Sequence, residues 1–202
     1  KWLLLCLIVN FGILGVVKYT DFAIANVNGL LGLFGSGRQL PFMNFIQPLG
    51  ISYYTFKTMS YIIDVYRGTY PAERNPFKLA LFTTFFPQII QGPISRFGDL
   101  QKTLFAEHDF QPGAVLLGLQ RVLWGFFKKL VIADRLLTPV KTLVGAPEEY
   151  QGIYALLAML LYAITLYCDF TGGIDITIGV GEMFGVSMAE NFDRPFFSKN
   201  IF

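Results

Sequence analysis

The chain has 202 residues, of which 53% are hydrophobic and only 15% charged, whereas in ordinary soluble domains about a quarter of residues are charged. Its net charge of +2 is too small to argue for nucleic acid binding, and no basic cluster alternates with aromatics. Four runs contain no Lys, Arg, Asp or Glu: Trp2–Val17 (16 residues), Gln39–Phe56 (18), Leu79–Ser95 (17) and Tyr150–Cys168 (19). A spanning helix needs about 17 to 25 apolar residues, so the composition points to a bilayer and away from a soluble globular domain.

The first apolar segment, Trp2–Val17, begins without an initiator Met, a basic leader region or a small-residue cleavage site. The chain closes on the equally abrupt "FFSKNIF", and both ends are expected to lie inside a longer multipass protein. A second segment, Phe45–Val65, follows Pro48 and Gly50 and contains Lys57 and Asp64. It is expected to turn its polar side to protein or water. The third, Phe77–Ile90, is short for a full crossing and runs into "QGP" at Gln91–Pro93, which suggests a re-entrant or half-spanning piece. The polar stretches Val65–Lys78 and Arg96–Gly113 read as loops. Val115–Leu137 ends in "GFFKKLVIADR", where Lys128, Lys129, Asp134 and Arg135 mark an interface or an amphipathic helix lying along it. The last two segments, Ile153–Tyr167 and Ile174–Val186, are separated by a Gly-Gly pair. The whole, residues 1–202, reads as one integral-membrane domain without repeats: all-α, multipass and transmembrane, with broken or re-entrant segments.

Three groups of polar residues fall at apolar depth. Asp169 and Asp175 flank Gly172-Gly173, a pair that weakens a helix or allows close backbone approach. On one reading a helix ends near Asp169 and another starts near Asp175, with Thr171 or Asp175 as its cap. On the other, the carboxylates line a polar cavity. Glu182, seven residues beyond Asp175, shares its helical face and reads as an interface residue, while Gly181 and Gly185 offer a small surface for helix contact. Gln88, Gln91 and Arg96 cluster on the broken third segment, where irregular backbone is tolerated only inside protein or beside a cavity; alternatively Arg96 snorkels to headgroups. In "ENFDRPF", Asn191, Asp193 and Arg194 crowd beside Pro195, as an Asp-Arg pair closing a loop would. The single histidine, His108, sits in a polar loop with no Ser, Cys or second His to suggest a triad or a metal set. Cys6 and Cys168 lie in apolar runs and read as small hydrophobes.

In order along the chain, "PLGISYYTFKTMSYIIDVYRG", "FFPQIIQGPISR", "GFFKKLVIAD", "LYCDFTGGIDITIGVGEMFG" and "ENFDRPF" resemble the membrane-bound O-acyltransferase family, in its bacterial alginate O-acetyltransferase branch. The resemblance implies transfer of an acyl group, acetyl in that branch, from a cytoplasmic thioester donor such as acetyl-CoA. The acceptor would be a hydroxyl of an exported polysaccharide or the cell envelope, or a partner acetyltransferase on the outer side. It implies a bacterial inner-membrane location, no bound cofactor or metal, and a catalytic histidine downstream of Phe202, so that no catalytic residue is expected in residues 1–202. Gln91, Arg96, Asp169, Asp175, Asn191 and Arg194 are the candidates for lining or bracing the substrate tunnel. Broken segments with intramembrane carboxylates also suit an ion-coupled secondary transporter, although no inverted repeat is present. A non-catalytic scaffold of a polysaccharide export complex is the third reading.

The apolar runs carry a direct expectation. The polypeptide should sediment with membranes and resist carbonate extraction; a soluble, monodisperse monomer recovered without detergent would refute the membrane reading.

Overall fold

The computed structural model describes residues 2–35, 38–192 and 195–197. Among these residues the regular structure is entirely helical, with no strand, and it forms two compact units, residues 1–84 and 85–202.

In the first unit, α1 (Trp2–Leu33) runs 16 residues past the expected end at Val17. The charges that follow Val17 do not stop it because they have partners. Lys18 Nζ donates to Ser52 Oγ at 3.0 Å, and Asp21 Oδ1 accepts from the backbone N–H of Met43 at 2.8 Å. Asn28 pairs with the backbone of Leu40 in both directions, at 2.7 and 2.9 Å. These side chains hold the irregular stretch 38–50 against the helix. That stretch replaces the first turns of the expected second segment, because Pro41 and Pro48 lack the donor a helix needs and Gly50 adopts φ 72°. Helix α2 (Ile51–Tyr66) then begins, and as expected its polar side is turned inward. Lys57 is 1% exposed, with Nζ 4.4 Å from the Phe82 ring centroid, and Asp64 is 7% exposed. The short α3 (Pro76–Thr83) starts on Asn75, whose Oδ1 accepts from Phe77 N at 2.9 Å, with Pro76 next, where no N–H is needed.

In the second unit, the expected third segment continues only as a 3₁₀ turn, Phe86–Gln88, so Phe77–Ile90 is two short pieces, as its length suggested. The expected loop Arg96–Gly113 contains a helix, α4 (Phe97–Leu104). Its mean polarity conceals a helical pattern that buries Phe97, Gly98 and Leu100. Helix α5 (Pro112–Phe126) widens into a π-helical stretch, Phe127–Ala133, and narrows again into α6 (Asp134–Gly145).

The largest departure from the sequence reading is α7, a single uninterrupted helix from Ile153 to Met183 that passes straight through Gly172-Gly173. Two glycines do not break it, because the space they leave is filled. A Cβ on Gly125 of α5 would stand 2.6 Å from the carbonyl oxygen of Gly172, and one on Gly118 would stand 2.5 Å from that of Gly179. Both pairs are seven residues apart and run in opposite directions, so α5 and α7 cross antiparallel with their backbones in contact at two successive points. Thr171 caps nothing. Its hydroxyl donates back to Tyr167 O at 2.7 Å within the continuous helix. Asp175 likewise lies in the helix interior and not at a helix start.

Helices α1 and α7 are each long and apolar enough to cross a membrane. At about 1.5 Å per residue their 32 and 31 residues exceed the roughly 30 Å of bilayer hydrocarbon.

The glycine seam gives a stability test. Gly125→Ala should destabilise the protein by about 1–3 kcal/mol, read as thermal unfolding in detergent. Gly12→Ala, in α1 where no atom lies within 4 Å of the added methyl, should not. Equal behaviour of the two variants would refute close backbone contact at the seam.

Candidate functional site

The seam that brings α5 and α7 together also brings their charges together. Arg121 lies between Gly118 and Gly125 on α5, and Asp175 lies between Gly172 and Gly179 on α7. Arg121 Nε donates to Asp175 Oδ1 at 3.1 Å, Nη1 to Glu182 Oε1 at 3.0 Å and Nη2 to Glu190 Oε2 at 2.6 Å. All three guanidinium nitrogens are thus committed to carboxylates. The π-helical stretch adds two more cations: Lys128 pairs with Asp175 and Lys129 with Asp169. Three cations against four carboxylates leave the cluster with one net negative charge.

The carboxylates are therefore neither caps nor isolated. Each lies on or just beyond α7 and meets a cation of α5 or its continuation. Burial separates the two aspartates. The side chains of Asp175 and Lys128 keep 16% and 12% of their exposure, against 47% and 37% for Asp169 and Lys129. Withdrawing a charge from water costs several kcal/mol unless it is paired, so the Asp175 pairings are obligatory in a way that the Asp169 pairing is not.

Gln91 joins the same helix from the irregular stretch 85–96. Its side chain fills the place a Cβ on Gly173 would need, and its Nε2 donates to Phe170 O at 3.1 Å. In return Thr177 Oγ1 donates to the backbone oxygen of Gln91 at 2.5 Å. Gln88, fully buried, donates to Pro93 O at 3.1 Å, to Ser95 Oγ at 2.9 Å and to Met188 Sδ at 3.1 Å. Irregular backbone persists here because side-chain amides and a hydroxyl satisfy it.

Gln91, Asp169 and Asp175 are accordingly brought together along one helix. Arg96 is exposed, its side chain without a hydrogen bond or ion pair to any described residue, and Asn191 is exposed on the segment after α7. Arg194 lies outside the described residues. Sequence reasoning overlooked Arg121, although it is the one charge in the otherwise uncharged α5, and an ionisable residue within an apolar segment is itself a signal of function.

A cavity of about 500 Å³ opens beside the cluster, lined by Arg121, Glu182 and Ser187 and by the apolar Leu117, Val186 and Met188. Across Gly185, which adopts φ 74°, a second cavity of about 460 Å³ is lined by Glu107, His108 and Asp109. His108 packs on Gly185, where a Cβ would lie 2.6 Å from Nδ1. Its Nε2 sits 2.6 Å from Thr103 O, and a carbonyl can only accept, so Nε2 carries the proton.

Two helices long and apolar enough to cross a membrane, an irregular polar stretch and an ion cluster beside a cavity point to a membrane-associated protein with buried polar groups. No family model matches it. Its sequence aligns along its full length, at 38% identity, with a probable alginate O-acetylase of Azotobacter vinelandii, covering 40% of that relative. A peptidoglycan O-acetyltransferase of Helicobacter pylori is 31% identical over 99% of the chain and 42% of its own length. A teichoic acid D-alanyltransferase of Bacillus subtilis is 33% identical over 78% of the chain and 40% of its own length. The family resemblance of the motifs is borne out: the chain belongs with these relatives to the membrane-bound O-acyltransferases, and it spans about 40% of their length.

The burial difference predicts an order of stability. Asp175→Asn should cost on the order of 3 kcal/mol, since it strips a partner from the mostly buried Arg121 and Lys128. Asp169→Asn should cost less than about 1 kcal/mol. Thermal unfolding of the detergent-purified variants measures both, and a larger loss for Asp169→Asn would overturn the assignment.

Proposed function

We propose that the protein of which these residues form part is a membrane-embedded O-acyltransferase. It moves an acetyl group from a cytoplasmic thioester donor such as acetyl-CoA toward a hydroxyl on an exported polysaccharide or another cell-envelope polymer. In this reading it is a multipass protein of the bacterial inner membrane, and a partner acetyltransferase on the outer side is an alternative recipient. The observation that carries the proposal is the end-to-end alignment with relatives named O-acetylases and O-acetyltransferases.

The geometry suits such a reaction. The donor and the hydroxyl approach from opposite faces of a bilayer, which requires a protein interior that tolerates polar groups at depth. Gln88, Gln91 and Thr177 supply that by satisfying an irregular backbone against α7, and the Arg121 cluster supplies fixed charges on the other side of the same helix. Fixed dipoles and charges that need not reorganise stabilise developing charge better than water does. Gln91, Asp169 and Asp175 brace this interior. The general base is assigned to none of the 202 residues.

Membrane vesicles containing the full-length protein should transfer label from radioactive acetyl-CoA to cell-envelope polymer, and His108→Ala should retain that transfer. Vesicles that import or exchange an ion with no acyl transfer would instead support a transporter. Loss of transfer in His108→Ala at unchanged protein level would move the base into this chain.

A further inference from the structure

The turn between α6 and α7 holds a cavity for which the acyltransferase reading has no use. We infer that it seats one acyl chain of a bilayer phospholipid. This inference rests on the membrane location proposed above and on nothing in the transfer chemistry.

The cavity, of about 330 Å³, lies between the end of α6 and the first turns of α7. Leu143 and Val144 line it from α6, Pro147 and Tyr150 from the turn, and Ala158 and Met159 from α7. None of its lining residues is charged, and their only side-chain heteroatoms are the hydroxyls of Tyr150 and Tyr162 and the sulfur of Met159. A nucleotide, sugar or peptide needs several placed polar groups, which this lining lacks. Water fares little better, since a buried water needs about two to four polar partners and apolar cavities stay dry. Left empty, the void would forfeit dispersion contacts with every side chain around it. A hydrocarbon chain restores them.

The surroundings of the cavity decide which hydrocarbon that is. Beside it Leu156, Leu157 and Leu160 are exposed on a helix long and apolar enough to cross a membrane, so hydrocarbon is the medium at this level. Charges bracket the crossing: the uncharged run Tyr150–Cys168 lies between Glu149 and Asp169. At the Glu149 end Tyr150 and Tyr154 meet edge to face, with ring centroids 5.5 Å apart. Tyrosines gather at membrane interfaces, where the ring is in hydrocarbon and the hydroxyl is wet. From Ala155 to Tyr162 the lining then follows α7 for about 10 Å. The cavity therefore runs from the headgroup boundary into a single leaflet, which is the path of a phospholipid chain.

The test uses the full-length protein in nanodiscs of phosphatidylethanolamine and phosphatidylglycerol, in which part of the phosphatidylglycerol carries a diazirine midway along one acyl chain. After illumination, adducts are located by peptide mass spectrometry. Ala158, 7% exposed, is reached through the cavity and reports on it, whereas Leu160, 57% exposed, meets bulk lipid and serves as the control. Adducts are expected at Ala158. Ala155→Phe and Val144→Trp, which fill the cavity from α7 and from α6, should each lower them at least tenfold and leave Leu160 adducts unchanged. Thermal unfolding establishes that each variant is folded, and either one alone suffices. Three results would overturn the inference and leave the membrane location intact: no adduct at Ala158 beside a labelled Leu160, Ala158 adducts indifferent to filling, or their loss on adding palmitoyl-CoA, which would give the cavity to a thioester. No adduct anywhere in the chain would instead overturn the membrane location.

Discussion

Backbone contact between α5 and α7 is the constraint on which the second unit depends. At Gly118–Gly179 and Gly125–Gly172 the two helices approach until no Cβ fits between them. The ion cluster between the two helices follows from that distance. A helix pair held apart by leucines would leave Arg121 too far from Asp175 for a direct hydrogen bond, whereas here the guanidinium reaches three carboxylates without leaving the crossing. The small residues thus act through the charges they bring together as well as through their own packing.

The opposite side of α7 obeys the same logic with neutral groups. There the irregular stretch 85–96 lies against the helix, and Gly173 makes room for the Gln91 side chain. Consecutive glycines 172 and 173 therefore serve two different neighbours, one on each side. A continuous helix that is apolar in its first half becomes polar on two faces in its second half, and two cavities lie beside its C-terminal end.

Much of this was legible in the sequence. The helical class, the inward polar side of α2 and the half-length third segment all followed from composition and spacing. The error at α7 has a physical cause. Intrinsic propensity counts two glycines as about 2 kcal/mol against helix, but it does not see α5, whose close packing on α7 outweighs that penalty. The same blindness truncated α1 at Val17, since Lys18 and Asp21 look like a boundary until Ser52 and Met43 are placed beside them. Helix α4 was missed for the reverse reason: its charged residues suggest a loop, and only the recurrence of Phe97, Gly98 and Leu100 on one side shows what it buries. Pairing across 54 residues, as between Arg121 and Asp175, leaves no local trace at all.

The order of these charges along the chain bears on how the protein is made. All three cations, Arg121, Lys128 and Lys129, are synthesised before any of the four carboxylates that neutralise them, the first of which is Asp169, 40 residues after Lys129. None of these ion pairs can therefore form until α7 has been synthesised, so the α5–α7 seam closes late, and until then Arg121, Lys128 and Lys129 are without the carboxylates that hold them in the folded protein.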